Sequence, residues 1–252
     1  MTIGILKEGK GENRVVALPE HVARVVLEKF SVLVENDAGL AAFAPDSSYA
    51  EAGASIGKRA DILNKADLLL SIYPPAEKLP KGKILISILG ALSNKALVER
   101  LAKEGVISYS LDMIPRSTRA QAVDVLSSMA TVAGYKAVLV AAGAVPKFFP
   151  MFMSASGTIK PSRVLILGAG VAGLQALATA RKLGAIVEVF DVRSAVKEEV
   201  LSLGGKFVEV EGAKDEASAG GYAVEQSEEY KKKQAELIQQ HAKQANVVIT
   251  TA

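Results

Sequence analysis

Cysteine and tryptophan are absent from this sequence of 252 residues, and histidine occurs only twice, at His21 and His241. Without cysteine there can be no disulfide, no thiolate zinc or iron–sulfur site and no thiol nucleophile. Each histidine lies in a charged helical pattern that lacks nearby partners for a catalytic triad or a metal site. The sequence therefore predicts two surface histidines and no metal centre.

A strong excess of charge is also missing. Lysine and arginine number 30 against 27 aspartates and glutamates, which gives a net charge of +3. The basic residues are scattered, and their one run, residues 231–233, is typical of a solvated helix face. These features argue against a nucleic-acid partner.

Long uninterrupted apolar segments are lacking as well. The N-terminus acquires charge at Lys7 and Glu8, so it does not resemble a secretory leader. Of the two most apolar stretches, residues 137–157 are broken by prolines and a lysine. Residues 164–180 contain three glycines and fall short of the ~20 residues that a spanning helix needs. The sequence predicts a soluble chain, which leaves a membrane-bound partner possible.

Short runs rich in valine, isoleucine and leucine alternate with helical patterns along the whole chain. The predicted strands cover residues 2–6, 32–35, 67–72, 84–89, 106–110, 164–167, 186–190, 207–210 and 247–250. The predicted helices cover residues 19–30, 93–103, 119–142, 171–183, 195–203 and 225–245. This alternation predicts an α/β fold with parallel sheets and helices on both faces.

The longest predicted helix, residues 119–142, joins two such lobes. Prolines and a glycine interrupt the pattern between residues 146 and 161. We therefore predict a boundary that separates an N-terminal lobe, residues 1–145, from a second lobe, residues 146–252.

A glycine motif stands at the start of the second lobe. Gly168, Gly170 and Gly173 follow a predicted strand and open a predicted helix, in the pattern G-x-G-x-x-G with Val171 inside it. In this context the first glycine permits a tight turn, the second lets a pyrophosphate approach the backbone, and the third lets helix and strand pack closely. The helix N-terminus would favour the diphosphate.

An acidic residue completes this motif. The next predicted strand ends at Asp191, where a carboxylate can accept both hydroxyls of the adenosine ribose of NAD and would repel a 2′-phosphate. Arg193 stands two residues later, and an arginine can accommodate such a phosphate. The residues therefore predict NAD binding, with the choice between NAD and NADP open.

Four separate stretches carry a resemblance to a known family. They are residues 116–135 (RSTRAQAVDVLSSMATVAGY), residues 192–207, residues 219–234 and residues 247–252 (VVITTA). They resemble the NAD(H)-binding domain of the proton-translocating NAD(P) transhydrogenase alpha subunit, in the alanine dehydrogenase/transhydrogenase superfamily. The resemblance covers essentially the whole chain.

The resemblance implies two Rossmann-like parallel-sheet lobes joined by a long helix. The family's domain continues beyond the last residue here, so we expect the second lobe to be incomplete at its C-terminus. It also implies a Re/Si-specific hydride transfer between NAD(H) on this chain and NADP(H) on a partner domain. The expected partners are membrane-spanning and NADP-binding subunits and a second copy of this chain, at the cytoplasmic side of the inner or plasma membrane.

By the same resemblance, Arg116, Gln121, Asp124 and Ser127 surround the nicotinamide and its ribose. The last three follow one another at intervals of three along the predicted helix, so we expect them to share one face. Without the resemblance, helix capping and surface polarity would explain them equally well. Tyr222 resembles a residue of a mobile loop that closes over bound nucleotide; the alternative is an exposed loop tyrosine.

Two other functions remain open from the residues. An alanine dehydrogenase-like enzyme needs a general acid–base group, and such relatives carry a lysine after the strand at residues 67–70 and a histidine within residues 86–90. Here Ser71 replaces that lysine, no histidine is present, and Arg14 is retained. Hydride transfer between two nicotinamides needs positioning alone. The third hypothesis is a non-catalytic NAD-binding module.

Overall fold

The computed structural model describes residues 1–115, 117–210 and 228–251. The contacts between residues divide the chain into two units, Met1–Val125 and Leu126–Ala252. The division lies earlier in the chain than the predicted boundary at residue 145, and it assigns the long helix to the second unit.

The first unit contains β1 (Thr2–Ile5), α1 (Pro19–Leu27), β2 (Ser31–Glu35), α2 (Asp46–Glu51), β3 (Ser55–Gly57), α3 (Arg59–Lys65), β4 (Leu68–Leu70), β5 (Ile84–Ser87), α4 (Lys95–Glu104) and β6 (Ile107–Ser110). The second contains α5 (Val125–Ala144), β7 (Phe152–Ser154), β8 (Gly157–Ile159), β9 (Arg163–Leu167), α6 (Val171–Lys182), β10 (Ile186–Phe190), α7 (Lys197–Ser202), β11 (Lys206–Val208), α8 (Glu228–Gln244) and β12 (Val247–Thr250).

The first unit is built on a parallel sheet of six strands in the order β3-β2-β1-β4-β5-β6. Its core lies on both faces, because successive side chains of a strand point to opposite sides. Ile5 packs with Val22, Val34 and Tyr49 on one face, and the next residue, Leu6, packs with a leucine-rich cluster on the other. Central β1 is therefore continuously apolar, as expected for a strand buried on both faces.

The second unit is built on four parallel strands in the order β11-β10-β9-β12. Val164 and Ile166 of β9 pack with Val187 and Val189 of β10 and with the buried side of α6. The parallel α/β architecture predicted for both lobes is confirmed. The hairpin formed by β7 and β8 lies in the proline-interrupted segment, for which no strand was predicted.

A buried ion-pair cluster fastens α8 to this second sheet. Glu188 of β10 is 8% exposed, and it accepts hydrogen bonds from Arg163 Nη2 at 2.7 Å and from His241 Nδ1 at 2.9 Å. The prediction of a surface histidine is therefore wrong for His241, because α8 directs its ring at a buried carboxylate. His21 is half-exposed, and its Nδ1 accepts the Leu18 amide at the start of α1.

The predicted helix over residues 119–142 is two elements in the structure. Residues Thr118–Val123 form a 3-10 helix, Asp124 is extended at φ −76° and ψ 90°, and α5 begins after it. Aspartate side chains compete with helical hydrogen bonding, which explains a break at this residue. Among the described residues, α5 is the one helix long and apolar enough to cross a membrane, by length and composition alone.

Candidate functional site

The glycine turn between β9 and α6 has the geometry that its sequence predicts. Gly168 has φ +101°, a conformation that side chains rarely adopt, and its amide donates to the Phe190 carbonyl at 2.8 Å. A Cβ on Gly173 would lie 1.8 Å from the Gly168 carbonyl oxygen. The first glycine therefore permits the turn, and the third lets α6 pack against it.

The middle glycine faces open space. No heavy atom of the described residues lies within 4 Å of a Cβ built on Gly170, and Val171, the next residue, is 44% exposed. Likewise, among the described side chains none caps α6, so its first amides and its dipole can receive a phosphate. This turn fits the pyrophosphate of a dinucleotide.

Asp191 lies beside the turn, at the end of β10. Its Oδ2 accepts the Ala169 amide at 2.7 Å, and its Oδ1 accepts the Arg193 amide at 2.9 Å. The Arg193 side chain donates to both oxygens, from Nε at 2.9 Å and from Nη2 at 2.8 Å. Burial raises the pKa of Asp191, but the hydrogen bonds from Arg193 and Ala169 outweigh it, so the pKa lies below its usual value. Asp191 is therefore a carboxylate at neutral pH.

Thr251 supports the turn from the other side and was not among the predicted site residues. Its hydroxyl lies 3.2 Å from the Leu167 carbonyl and 3.0 Å from the Gly168 carbonyl, within hydrogen-bonding distance of both. Its position just after a strand that pairs with β9 was the one sequence signal for this role, and that pairing could not be foreseen.

The helix α5 packs directly on the start of α6. A Cβ on Gly134 would lie 2.1 Å from the Ala172 carbonyl oxygen, so a side chain there is excluded. The turn is thus supported by close backbone contacts with Gly134 and Gly173 as well as by Thr251.

The residues predicted around the nicotinamide do not share one helix face. Gln121 is exposed in the 3-10 helix, Asp124 is in extended backbone, and Ser127 is in the first turn of α5. The helical phase that the spacing assumed is lost at Asp124, so that prediction is wrong. Arg116 and Tyr222 lie outside the described residues.

The first unit has a cavity of about 540 Å³ over the carboxyl ends of β1 and β4. Ligands of open α/β sheets bind at this point, where the strand order reverses. Ser71 lines the cavity, and its hydroxyl is buried and lies 3.4 Å from Ser87 Oγ. A serine hydroxyl does not titrate near neutral pH, so this position supplies no acid–base group of the kind that the missing lysine would provide.

Arg14, near this cavity, is fully engaged by its neighbour. Its Nε and Nη2 donate to the two carboxylate oxygens of Glu12 at 2.8 and 2.6 Å. The hydrogen bond from Arg14 lowers the pKa of Glu12 to about 2. The guanidinium is therefore paired within its own loop.

Comparison with known proteins covers the whole chain. Residues 4–133 match the family model of the alanine dehydrogenase/PNT N-terminal domain, and residues 137–252 match that of the alanine dehydrogenase/PNT C-terminal domain. The chain is 44% identical to the first of the separate polypeptides that form NAD(P) transhydrogenase subunit alpha in Rhodospirillum rubrum, over 100% of this chain and 69% of the relative.

Two further relatives separate the branches of the family. The crystal structure of transhydrogenase from Sinorhizobium meliloti superposes with a TM-score of 0.90 at 40% identity, over 100% of this chain and 70% of that one. An alanine dehydrogenase of Staphylococcus saprophyticus is 31% identical over 81% of this chain and 56% of its own length. The chain therefore belongs to the alanine dehydrogenase/PNT family and is more similar to these transhydrogenases than to this alanine dehydrogenase.

Proposed function

We propose that this chain is the NAD(H)-binding component of a proton-translocating, Re/Si-specific NAD(P) transhydrogenase. The observation that carries the proposal is the glycine turn with the Asp191 carboxylate beside it, in a chain that matches transhydrogenases over its full length. Gly168, Gly170, Val171 and Gly173 would receive the pyrophosphate, and Asp191 and Arg193 the adenosine ribose.

We place the nicotinamide near Arg116, Gln121, Asp124 and Ser127, with Tyr222 in a loop that closes over the nucleotide. When bound, NADH supplies the hydride that reduces NADP⁺ held on a partner domain. The chain's own residues bind and orient the dinucleotide, because transfer between two nicotinamide carbons moves no proton there and requires no acid–base group. The non-titrating Ser71 and the paired Arg14 agree with such a role.

The partners and the location belong to the same proposal. The relatives are named as an alpha subunit or as one portion of a divided alpha subunit, which supports further subunits in the assembly. We propose that these carry the NADP(H) site and the membrane-spanning segments. This chain would then act as a dimer, peripheral to the inner or plasma membrane on its cytoplasmic side.

A hydride-transfer assay tests the proposal. The chain is mixed with the NADP-binding domain of a related transhydrogenase, NADPH and an NAD⁺ analogue whose reduced form absorbs at longer wavelength. We expect reduction of the analogue, and its loss when Asp124 is replaced by Asn. The matched control is Asp61→Asn on α3, an acidic residue outside all predicted sites.

Three outcomes separate the hypotheses. Transfer that depends on the NADP-binding domain supports the transhydrogenase. NADH oxidation driven by pyruvate and ammonia, without that domain, would instead support an alanine dehydrogenase-like enzyme. NADH binding with neither reaction would leave a non-catalytic binding module.

A further inference from the structure

The carboxylate of Asp191 is already saturated by protein donors. Its two oxygens offer about four acceptor positions. Two are filled by the backbone amides of Ala169 and Arg193, and two by Nε and Nη2 of the Arg193 side chain, all at 2.7–2.9 Å. The Asp191 side chain is 6% exposed, so a ligand cannot bind simply by replacing water on it.

The four donors differ in their freedom to leave. The Ala169 amide belongs to the glycine turn, and the Arg193 amide follows directly on β10, so neither can move without distorting the backbone. The Arg193 guanidinium is on a long side chain that is 27% exposed. A ribose hydroxyl can therefore reach Asp191 by displacing the guanidinium and not by displacing either amide.

We propose that Arg193 determines how strongly this site recognises the adenosine ribose, by occupying the hydroxyl positions of Asp191 in the free protein. The inference rests on the proposed function, since it assigns the ligand of Asp191 to the ribose of NAD(H). The ion pair is a built-in competitor of the 2′-hydroxyl. Recognition of that hydroxyl is weakened by the bidentate pair that it must open.

Removing the guanidinium should therefore strengthen recognition of the hydroxyl. The experiment compares the dissociation constants of NADH and of its analogue with a 2′-deoxy adenosine ribose, in the unmodified chain and in Arg193→Gln. Loss of the hydroxyl should weaken binding only slightly in the unmodified chain, because the guanidinium remains in place. In Arg193→Gln the same loss should weaken binding about tenfold, as expected for a charge-assisted hydrogen bond.

Two further variants sharpen the comparison. Arg181→Gln removes the same charge from α6, where the guanidinium donates to the Ala185 carbonyl, and it should leave the ratio of the two constants unchanged. Arg193→Lys keeps the charge without the bidentate fork, and it should give an intermediate ratio. The lysine variant also provides the test if Arg193→Gln unfolds.

The outcomes distinguish this inference from the proposed function. An equal ratio in the unmodified chain and both Arg193 variants would overturn the role of Arg193 alone. NADH binding weakened by the Arg193 variants would overturn it too, because it would make the guanidinium a direct ligand. An unmodified chain that binds no NADH would overturn both.

Discussion

Adding the same methyl group at two glycines of one turn should separate folding from nucleotide binding. At Gly170 the methyl meets no heavy atom of the described residues within 4 Å, and φ is −76°, which alanine adopts freely. At Gly173 the methyl would lie 1.8 Å from the Gly168 oxygen and 2.9 Å from its carbonyl carbon. Since both neighbours are backbone, the turn or the helix must move.

The expected magnitudes differ accordingly. Gly173→Ala overpacks a backbone contact and should lower the free energy of unfolding by about 3 kcal/mol, the upper end for such changes. That loss corresponds to a melting temperature lower by about 10 °C. Gly170→Ala should change the unfolding free energy by less than about 1 kcal/mol. It should still weaken NADH binding about 10- to 100-fold, because the methyl blocks one or two charge-assisted hydrogen bonds to the pyrophosphate.

The assays are urea unfolding followed by circular dichroism, and NADH binding followed by nicotinamide fluorescence. Gly143→Ala on α5 is the matched control. Its added methyl also meets no heavy atom of the described residues within 4 Å, and alanine favours a helix, so neither property should worsen. A Gly173→Ala variant as stable as the unmodified chain would refute the packing argument, and a Gly170→Ala variant with unchanged NADH affinity would refute the pyrophosphate site.

Three further predictions concern stability. Glu188→Gln removes the charge that pairs with Arg163 and should lower the unfolding free energy by about 2 kcal/mol in a urea titration; an unchanged midpoint would contradict it. The pKa of Glu12 is lowered from 4.5 to about 2, so its contribution is present above pH 4.5 and lost as the pH falls towards 2, which a melting-temperature scan should register as a decline that Glu12→Gln reduces. Tyr49→Phe deletes the buried hydrogen bond to the Ala17 carbonyl and should lower the unfolding free energy by about 1 kcal/mol, measured by urea unfolding with no change in slope.

Local patterns predicted the parts of the fold that local physics determines. The strands with continuous valine, isoleucine and leucine form where expected, because burial on both faces of a parallel sheet selects such runs. The glycine turn followed from three residues whose backbone demands are separate and specific. In the first unit, β3 has three residues and α3 has seven, too few for a periodic pattern to stand out.

The details that shape the site depend on distant contacts and side-chain conformations. The bidentate pair between Asp191 and Arg193 depends on a side-chain conformation that spacing does not encode. The approach of His241 to Glu188 joins residues 53 positions apart. The break at Asp124 reflects a local competition between side-chain and helical hydrogen bonds, which a periodic apolar pattern passes over.

The contacts of Thr251 have a consequence for the order of folding. They join residues 84 and 83 positions apart, whereas the pairing of β9 with β10 is formed by much nearer segments. Closing a longer loop carries a larger entropy loss, so distant contacts tend to form later. The nucleotide turn would then reach its final shape only when β12 docks, and binding competence would mark a late step in the assembly of this unit.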